Sequence, residues 1–267
     1  MKHAETVTFG GSALDRAGEV RADKEAVAAL RADDAARAIL FWRGKVLIDP
    51  ARPASVVRLP LDHPVLADAG SAPILLGREE GAARFAYDLS PCMPDDFDPR
   101  QLGSFVDQSE QRHPMLPPDY AFVEMRRVMT WLSPRDAELA ATGKAILAWH
   151  ENHSYCARCG FETVVNDAGW QRNCPACRAS HFPRTDPVAI MTVEHVTKDG
   201  ERLVLLGRGL GWPEGMYSAL AGFIEPGETL EQGAARELRQ RRVWRAAWML
   251  GSARGRGTRV AQRGAPG

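Results

Sequence analysis

Residues 222–244 read GFIEPGETLEQGAARELRQRRVW, the most informative stretch of this 267-residue chain. Thr229, followed three residues later by Gln232, forms a capping box, so we expect a helix to begin at Thr229 after a turn at Pro226-Gly227. Three apolar residues recur at helical spacing and mark one face: Leu230, Ala234 and Leu238. Glu237 lies on another face, and carboxylates grouped there would suit hard cations such as Mg²⁺ or Mn²⁺. The stretch therefore predicts a helix that presents acidic side chains to a divalent cation.

The composition is that of a globular protein. The chain has 45% hydrophobic and 25% charged residues, and its length is enough for one large domain or two to three small ones. No apolar run approaches the roughly 18–20 residues that cross a bilayer. The N-terminal stretch MKHAETVTFGGSALDR has early acids and no apolar core, so no secretory signal is expected. These features predict a cytoplasmic protein with no membrane partner.

Four of the five cysteines form two closely spaced pairs. Cys156 and Cys159 stand in CARCG, Cys174 and Cys177 stand in CPAC, and fourteen residues separate the pairs. Each pair can present two thiolates to one tetrahedral Zn²⁺, an interpretation we prefer to disulfides or a redox pair in a reducing compartment. Four thiolates complete the coordination sphere, so the predicted zinc ribbon is structural. Three histidines are expected to flank the ion without binding it: His150, His153 and His181.

The net charge of zero conceals an uneven distribution. Residues 240–267 contain seven Arg and no Lys, Asp or Glu, which leaves 27 basic and 34 acidic residues in 1–239. An acidic body is not typical of a nucleic-acid-binding domain. An Arg-rich arm can nevertheless contact phosphates. A zinc-ribbon nucleic-acid-binding module is therefore the alternative from a different functional class.

The rest of the sequence predicts further strands and helices. Arg43-Gly44 separates two apolar runs in 38–49, a pattern typical of a β-hairpin, and Lys198-Asp199-Gly200 reads as a second hairpin turn. Strands are also expected at 72–77, 83–89, 186–195 and 202–209. Within 120–149, helices should cover a sheet, one of them capped by Ser133 with Pro134 at its first position.

Two finer expectations concern burial. In 186–195, Val188, Ile190 and Thr192 alternate as in a buried strand. Cys92 stands alone, and we expect it to be a small buried hydrophobic residue.

Four residues of the opening stretch match the first part of the Nudix box, Gly-x5-Glu-x7-Arg-Glu-U-x-Glu-Glu-x-Gly-U with U aliphatic: Gly222, Glu228, Arg236 and Glu237. The four-cysteine ribbon lies directly upstream, between LAWHENHSYCARCG at 147–160 and HFPRTDPVAI at 181–190. With these motifs the chain resembles the NADH pyrophosphatase family of zinc-ribbon Nudix hydrolases. The match is strong over about 147–238. For residues 1–146 the resemblance implies only that an N-terminal domain is expected there.

This resemblance implies an activity and a set of site residues. Members of the family hydrolyse the diphosphate of NAD(H) to nicotinamide mononucleotide and AMP, some remove NAD caps from RNA, and homodimers occur. The catalytic residues would be Glu237, Glu228 and Arg236. By position, Glu237 would bind Mg²⁺ or Mn²⁺ together with the backbone carbonyl of Ala221, while Glu228 and Arg236 would brace the loop against the helix. Phe182 falls where the family has an aromatic residue that touches the substrate.

The sequence departs from the family pattern at about residue 240. Gln240 and Arg241 stand in place of two glutamates, and Val243 stands in place of a glycine. Arginine stays charged at neutral pH, so Arg241 would repel a cation one helical turn from Glu237. With suitable codons, one inserted G after Gln240 restores Glu at 241 and Gly at 243. We therefore hypothesise a truncation or frameshift there, with weakened metal binding and low or absent turnover; an inactive remnant is the further alternative.

The predicted fold is α+β and comprises four segments. Residues 1–146 form an N-terminal mixed α/β domain and 147–184 a four-Cys zinc ribbon. Residues 185–240 form an incomplete Nudix α/β/α sandwich, and 241–267 form an aberrant Arg/Gly-rich tail.

Overall fold

A computed structural model describes residues 12–49, 55–92, 109–209, 212 and 214–240. The predicted tail at 241–267 lies outside the described residues. The chain forms two compact units, Met1–Arg184 and Thr185–Gly267. None of the helices described in either unit is long and apolar enough to cross a membrane.

The first unit is built on a six-stranded sheet. Its strands are β1 (Arg37–Trp42), β2 (Lys45–Ile48), β3 (Leu59–Pro60), β4 (Ile74–Glu79), β5 (Ala82–Asp88) and β6 (Ala121–Val123). The order is β4-β5-β1-β2-β6, with β3 paired to β1; β1 and β5 are parallel, and the other pairs are antiparallel. Arg43 and Gly44 both have positive φ, 46° and 76°, as the two central residues of a type I′ turn require. The predicted β1–β2 hairpin is confirmed.

Both faces of this sheet are buried. Ile39 and Phe41 of β1 point into one core, together with Leu139 and Ile146 of the helix that covers that face. Leu40 and Trp42 point into the other core. Because alternate strand residues face opposite sides, a strand buried on both faces has a nearly continuous apolar sequence, as RAILFW shows.

In the part of the first unit that the structure describes, three α-helices accompany the sheet: α1 (Lys24–Ala32), α2 (Met125–Val128) and α3 (Pro134–Asn152). The predicted start of α3 is confirmed, because Ser133 Oγ accepts a hydrogen bond from Asp136 N at 3.1 Å and Pro134 occupies the first turn. Residues 120–149 are not entirely helical, however. Ala121–Val123 forms β6, whose three residues are all buried beside β2. The sequence predicted a helix across β6 because all three residues of this strand are apolar, so the strand shows no alternation that would distinguish it from a helix.

The cysteine-rich segment forms a small three-stranded antiparallel sheet in the first unit. Its strands are β7 (Val164–Asn166), β8 (Gln171–Asn173) and β9 (Ser180–His181). Trp170, directly before β8, donates a hydrogen bond from Nε1 to Leu75 O of β4 at 2.7 Å. A Cβ at Gly169 would lie 2.7 Å from Ile74 Cγ1, so only glycine allows this close approach to the larger sheet.

Within residues 185–209, 212 and 214–240, the second unit contains two strand pairs and one helix. The elements are β10 (Val188–Met191), β11 (Glu194–Val196), β12 (Arg202–Val204), β13 (Leu220–Phe223) and α4 (Leu230–Gln240). β10 pairs with β13, β11 pairs with β12, and α4 packs on β10 and β13. The predicted turn at Lys198-Asp199-Gly200 is confirmed, since Gly200 N donates to Thr197 O at 3.0 Å within the β11–β12 hairpin.

The expected burial of β10 is wrong. Val188 and Ile190 are 46% and 68% exposed, whereas Ala189 between them is 7% exposed. Ala189 pairs with Gly222 of β13, and these small residues occupy the strand face nearest α4. A helix that approaches a sheet over such residues leaves the larger side chains on the opposite face.

Candidate active site and zinc site

Arg236 holds the loop before α4 against the helix. Its Nε donates to Glu228 Oε1 at 2.7 Å, and its Nη2 donates to Glu228 Oε2 at 2.9 Å. The same Nη2 donates to Phe223 O at 2.8 Å, and Nη1 lies 3.7 Å from Glu225 Oε1. A bidentate Arg–carboxylate pair fixes geometry as well as charge. The contacts predicted for Glu228 and Arg236 from the Nudix resemblance are thus present.

The electrostatics of this pair keep both groups ionised. The hydrogen bonds from Arg236 lower the pKa of Glu228, and the hydrogen bond to Glu228 is the main cause of a raised pKa at Arg236. The negative charge of Glu225, three residues before Glu228, also raises the pKa of Arg236. Glu225 was not predicted as a site residue. Its signal was the acidic pair in EPGE at 225–228.

Glu237 projects from α4 onto β13. A Cβ at Gly222 would overlap the Glu237 carboxyl group, so glycine at this position makes room for that side chain. Ala221, whose carbonyl was expected to bind the cation, is the neighbouring residue in the same strand. Glu237 Oε1 also lies 3.2 Å from Arg236 Nη1. The Glu237 carboxyl group therefore lies against Gly222, the residue next to Ala221 in β13.

The start of α4 agrees with the sequence. Thr229 N donates to Gln232 Oε1 at 2.9 Å, and Gln232 N donates to Thr229 Oγ1 at 3.2 Å, which confirms the capping box. The apolar face is less buried than expected, because Leu230 is 59% exposed and Gly233 is the buried residue of α4.

The four paired cysteines meet at one point. The Sγ atoms of Cys156 and Cys177 are 3.6 Å apart and those of Cys159 and Cys174 are 3.5 Å apart, and all four lie within 4.8 Å of one another. Thiolates that share one tetrahedral Zn²⁺ at about 2.3 Å lie at about these separations. The four side chains therefore fit a structural zinc ion, as the spacing predicted.

Hydrogen bonds prepare two of these thiols for ionisation. Burial opposes ionisation of Cys156, but donors that include the backbone N–H groups of Arg158 and Cys159 outweigh it and lower its pKa to about 7. The Cys177 N–H is the main cause of a pKa of about 7 at Cys174. The Phe161 N–H favours the Cys159 thiolate, yet the neighbouring cysteines outweigh it and raise the pKa of Cys159 to about 12. A metal ion binds thiolates, so the lowered pKa values favour binding near neutral pH.

The three flanking histidines differ in their contacts, and His153 Nδ1 lies 3.1 Å from Trp149 O in α3. His181 Nε2 lies 3.3 Å from Cys156 Sγ, in position to donate a hydrogen bond to that ligand. His150 Nε2 donates to Gly169 O at 2.8 Å, while its Nδ1 accepts from Arg172 Nη1 at 3.1 Å. Burial lowers the pKa of His150, which favours the neutral ring. Arg172 is buried and also donates to Thr163 Oγ1 at 2.7 Å; sequence analysis did not find it, because one arginine in a short strand carries no signal.

Phe182 and Cys92 are the two remaining residues for which sequence analysis made a prediction. Phe182 is 63% exposed on the first unit, directly after β9. Cys92 is half-buried, not fully buried as expected, and burial raises the pKa of its thiol. It lies near Asp68 and His113, with one ligand atom from each of the three within 4.8 Å of the others.

Two family models match the first unit. Residues 35–149 match an NADH pyrophosphatase-like rudimentary NUDIX domain, and residues 151–182 match the NADH pyrophosphatase zinc ribbon domain. The first match covers the six-stranded sheet and most of α3, and the second covers the four-cysteine cluster.

Curated relatives carry related names. The chain is 43% identical over 118 residues to human mitochondrial NAD(P)H pyrophosphatase NUDT13, a match that covers 44% of this chain and 32% of the relative. It is 33% identical over 193 residues to human NAD-capped RNA hydrolase NUDT12, covering 69% of this chain and 37% of the relative. It is 32% identical over 233 residues to NAD-capped RNA hydrolase NudC of Mycobacterium tuberculosis, covering 85% and 64%. The chain thus spans from about a third to under two thirds of these relatives.

A rudimentary Nudix domain followed by a four-cysteine ribbon defines the class of this protein. Residues 35–149 and 151–182 are therefore the rudimentary Nudix domain and the zinc ribbon domain of the NADH pyrophosphatase type.

Proposed function

We propose that this chain carries the machinery for hydrolysis of the pyrophosphate of NAD(H), with nicotinamide mononucleotide and AMP as products. Removal of NAD caps from RNA is the related reaction, because the similar NUDT12 and NudC proteins are named NAD-capped RNA hydrolases. Phe182 would contact the substrate. The homodimer, the cytoplasmic location and the four-segment division stay predictions.

One observation carries this proposal: the Arg236–Glu228 brace positions α4 so that Glu237 reaches across Gly222 beside Ala221. Mg²⁺ in phosphate-handling sites is held by one or two carboxylates together with substrate oxygens. Glu237 and the Ala221 carbonyl would supply two protein oxygens for Mg²⁺ or Mn²⁺. A cation held there would polarise the diphosphate towards attack by water.

The described residues offer few oxygen ligands for a divalent cation at this site, and we propose that turnover is correspondingly low. Arg236 already pairs with Glu237 at 3.2 Å. Gln240 is an amide, and Arg241, four residues after Glu237 in the sequence, adds a permanent positive charge and no ligand oxygen. Metal binding would rest on Glu237, the Ala221 carbonyl, water and the substrate.

The test is product analysis after incubation of NADH with Mn²⁺. The purified chain should give little nicotinamide mononucleotide and AMP, and Arg241→Glu should increase the yield because it replaces a cation with a ligand carboxylate. Adding Glu237→Gln to Arg241→Glu should remove the increase, since the amide keeps the shape but not the charge.

Arg245→Glu is the matched control, because it makes the same charge change elsewhere in the tail. Equal gains in product yield from Arg241→Glu and Arg245→Glu would show that the effect comes from net charge alone. Robust Mn²⁺-dependent cleavage by the unaltered chain would overturn the proposed impairment, and cleavage that survives Glu237→Gln would overturn the proposed site.

A further inference from the structure

Three side chains that could bind a metal ion meet in the first unit, outside the four-cysteine cluster. Asp68 ends a short 3₁₀ helix, Pro64–Asp68, whereas Cys92 follows the end of β5 and His113 precedes β6. One ligand atom from each of the three lies within 4.8 Å of the other two. The cluster therefore joins three segments that are separated in the sequence.

The His113 ring directs a buried nitrogen into this cluster. The side chain is 6% exposed, and its Nε2 lies 3.1 Å from Asp68 Oδ2. Nε2 nevertheless forms no hydrogen bond within the described part of the chain, because the carboxylate oxygen lies off the direction of the ring N–H. Two ligand atoms that share one tetrahedral ion lie about 3.4 Å apart and point at the ion, not at each other. The pair thus has the arrangement of two ligands more than that of a donor and an acceptor.

Backbone contacts hold two of the three residues in place without using their ligand atoms. Trp42 Nε1 donates to Cys92 O at 2.8 Å. A Cβ at Gly70 would lie 2.3 Å from Pro91 Cγ, so the chain just after Asp68 runs directly against the chain just before Cys92. The carboxylate and the thiol are therefore presented by segments that pack on each other.

A cysteine nucleophile with a histidine base and an aspartate is the alternative for these three residues. That mechanism needs both ring nitrogens, one directed to the nucleophile and the other to the carboxylate. Here Met115 N donates to His113 Nδ1 at 3.2 Å, which leaves only Nε2 for the other two side chains. Burial and the negative charge of Asp68 raise the pKa of Cys92, whereas a nucleophilic cysteine has a lowered pKa. The same negative charge favours a cation between the two groups.

We propose that Asp68, Cys92 and His113 form a second zinc site, with three protein ligands and water in the fourth position. One nitrogen, one sulfur and one oxygen ligand together suit Zn²⁺, whereas Mg²⁺ and Ca²⁺ prefer oxygen alone. The Asp68 side chain is 41% exposed, so solvent reaches the cluster from that side. Coordination through Nε2 puts the ring proton on Nδ1, and the Met115 N–H loses that acceptor. One hydrogen bond is a small loss beside the binding of zinc by three ligands.

The experiment counts zinc per chain after addition of excess ZnCl₂ under reducing conditions and removal of free ion by gel filtration. The unaltered chain should retain two zinc ions, one of them in the four-cysteine ribbon. Asp68→Ala, Cys92→Ala and His113→Gln should each retain one fewer. The loss of a direct ligand should weaken binding by more than the about 10- to 100-fold that is lost with an outer-shell partner.

His63→Gln is the matched control and should retain as much zinc as the unaltered chain. His63 also precedes a proline, and its Nδ1 accepts a hydrogen bond from Val65 N at 3.2 Å, as the His113 ring does from Met115. Among the described residues it belongs to no cluster of metal ligands.

The proposal is supported if all three variants retain one zinc ion fewer. It is overturned if the unaltered chain retains no more zinc than the variants, or if any one variant retains as much as the unaltered chain. Melting temperatures without added zinc check folding, and Asp68→Ala changes an exposed residue, so it tests the site even if His113→Gln unfolds. The zinc count does not depend on NADH cleavage, so this site and the proposed function can fail separately.

Discussion

Arg236 is the residue on which the order of the candidate active site depends. It reaches Glu228, the Phe223 carbonyl and Glu237 from one position in α4. Its hydrogen bonds connect the helix to the end of β13 and to the loop between them. Removing the guanidinium would leave Glu228 without its bidentate partner and release that loop from the helix.

We expect Arg236→Gln to lower the melting temperature and to speed amide hydrogen exchange throughout α4. Gln can replace one of the hydrogen bonds of Arg236 but not the bidentate pair together with the Phe223 contact. Arg239→Gln is the control, since Arg239 is exposed and its Nε donates to Ala235 O at 3.2 Å within its own helix. Similar exchange rates in the two variants would contradict the bracing role of Arg236.

Glu79 is a second residue whose charge is held by arginines. Arg58 donates to it from Nε at 2.9 Å and from Nη2 at 2.8 Å, and Arg84 Nε donates at 2.7 Å. Burial alone would raise the pKa of Glu79, but these hydrogen bonds outweigh burial and hold the pKa below its ordinary value. A carboxylate with a depressed folded pKa adds stability above its unfolded pKa, and that stability is lost as the pH falls through the folded value.

Glu79→Gln should therefore destabilise the first unit at pH 7 by about 1.5–3 kcal/mol, the usual worth of hydrogen bonds to charged groups. The difference from the unaltered chain should shrink as the pH falls below about 4.3, the ordinary pKa of a glutamate. Thermal unfolding from pH 7 to pH 3 measures this difference, with the exposed neighbour Glu80→Gln as control. A difference that does not change with pH would show that Glu79 contributes packing and not charge.

At the scale of elements, α3 packs on the six-stranded sheet through a glycine. Gly143 lies in the interior of α3, and a Cβ there would overlap the ring of Phe41 in β1. Glycine is otherwise unfavourable inside a helix by about 1 kcal/mol relative to alanine. The close contact between α3 and β1 therefore explains why position 143 is a glycine although it lies inside a helix.

Gly143→Ala should consequently destabilise the first unit although it raises helix propensity, because overpacking a core typically costs about 1–3 kcal/mol. The matched control is Ala145→Gly at an exposed position of the same helix, where the loss should be about 1 kcal/mol, from propensity alone. Thermal unfolding of both variants compares the two effects. A more stable Gly143→Ala would mean that Phe41 has room to move aside.

Elements with strong local signals were predictable from the sequence. The β1–β2 hairpin followed from Arg43-Gly44, and the starts of α3 and α4 followed from Ser133 and from the Thr229 capping box. The buried face of β10 was not predictable, because its inner side carries Ala189 and the hydrophobicity pattern favoured the larger Val188 and Ile190. The close approach of α4, which selects small residues, is a tertiary effect that no local pattern records.

At the scale of the whole molecule, the four-cysteine zinc site could be predicted from the sequence, whereas the contact between Arg21 and Trp170 could not. Cysteine spacing predicted a site that the fold then assembled, since both CxxC pairs carry their geometry in a single turn each. The Arg21 guanidinium lies over the Trp170 ring, although the two residues are far apart in the sequence and belong to no recognisable motif. Only the folded first unit brings them together.

We propose that Glu237 is a metal ligand whose binding of the cation is weakened by Arg241. Titration of Mn²⁺ followed by electron paramagnetic resonance tests it most directly, because bound and free ions differ in signal. We predict weak binding by the unaltered chain, binding about tenfold tighter in Arg241→Glu where a cation becomes a carboxylate, and loss of that gain when Glu237→Gln is added. Tight Mn²⁺ binding by the unaltered chain that persists in Glu237→Gln would contradict the account.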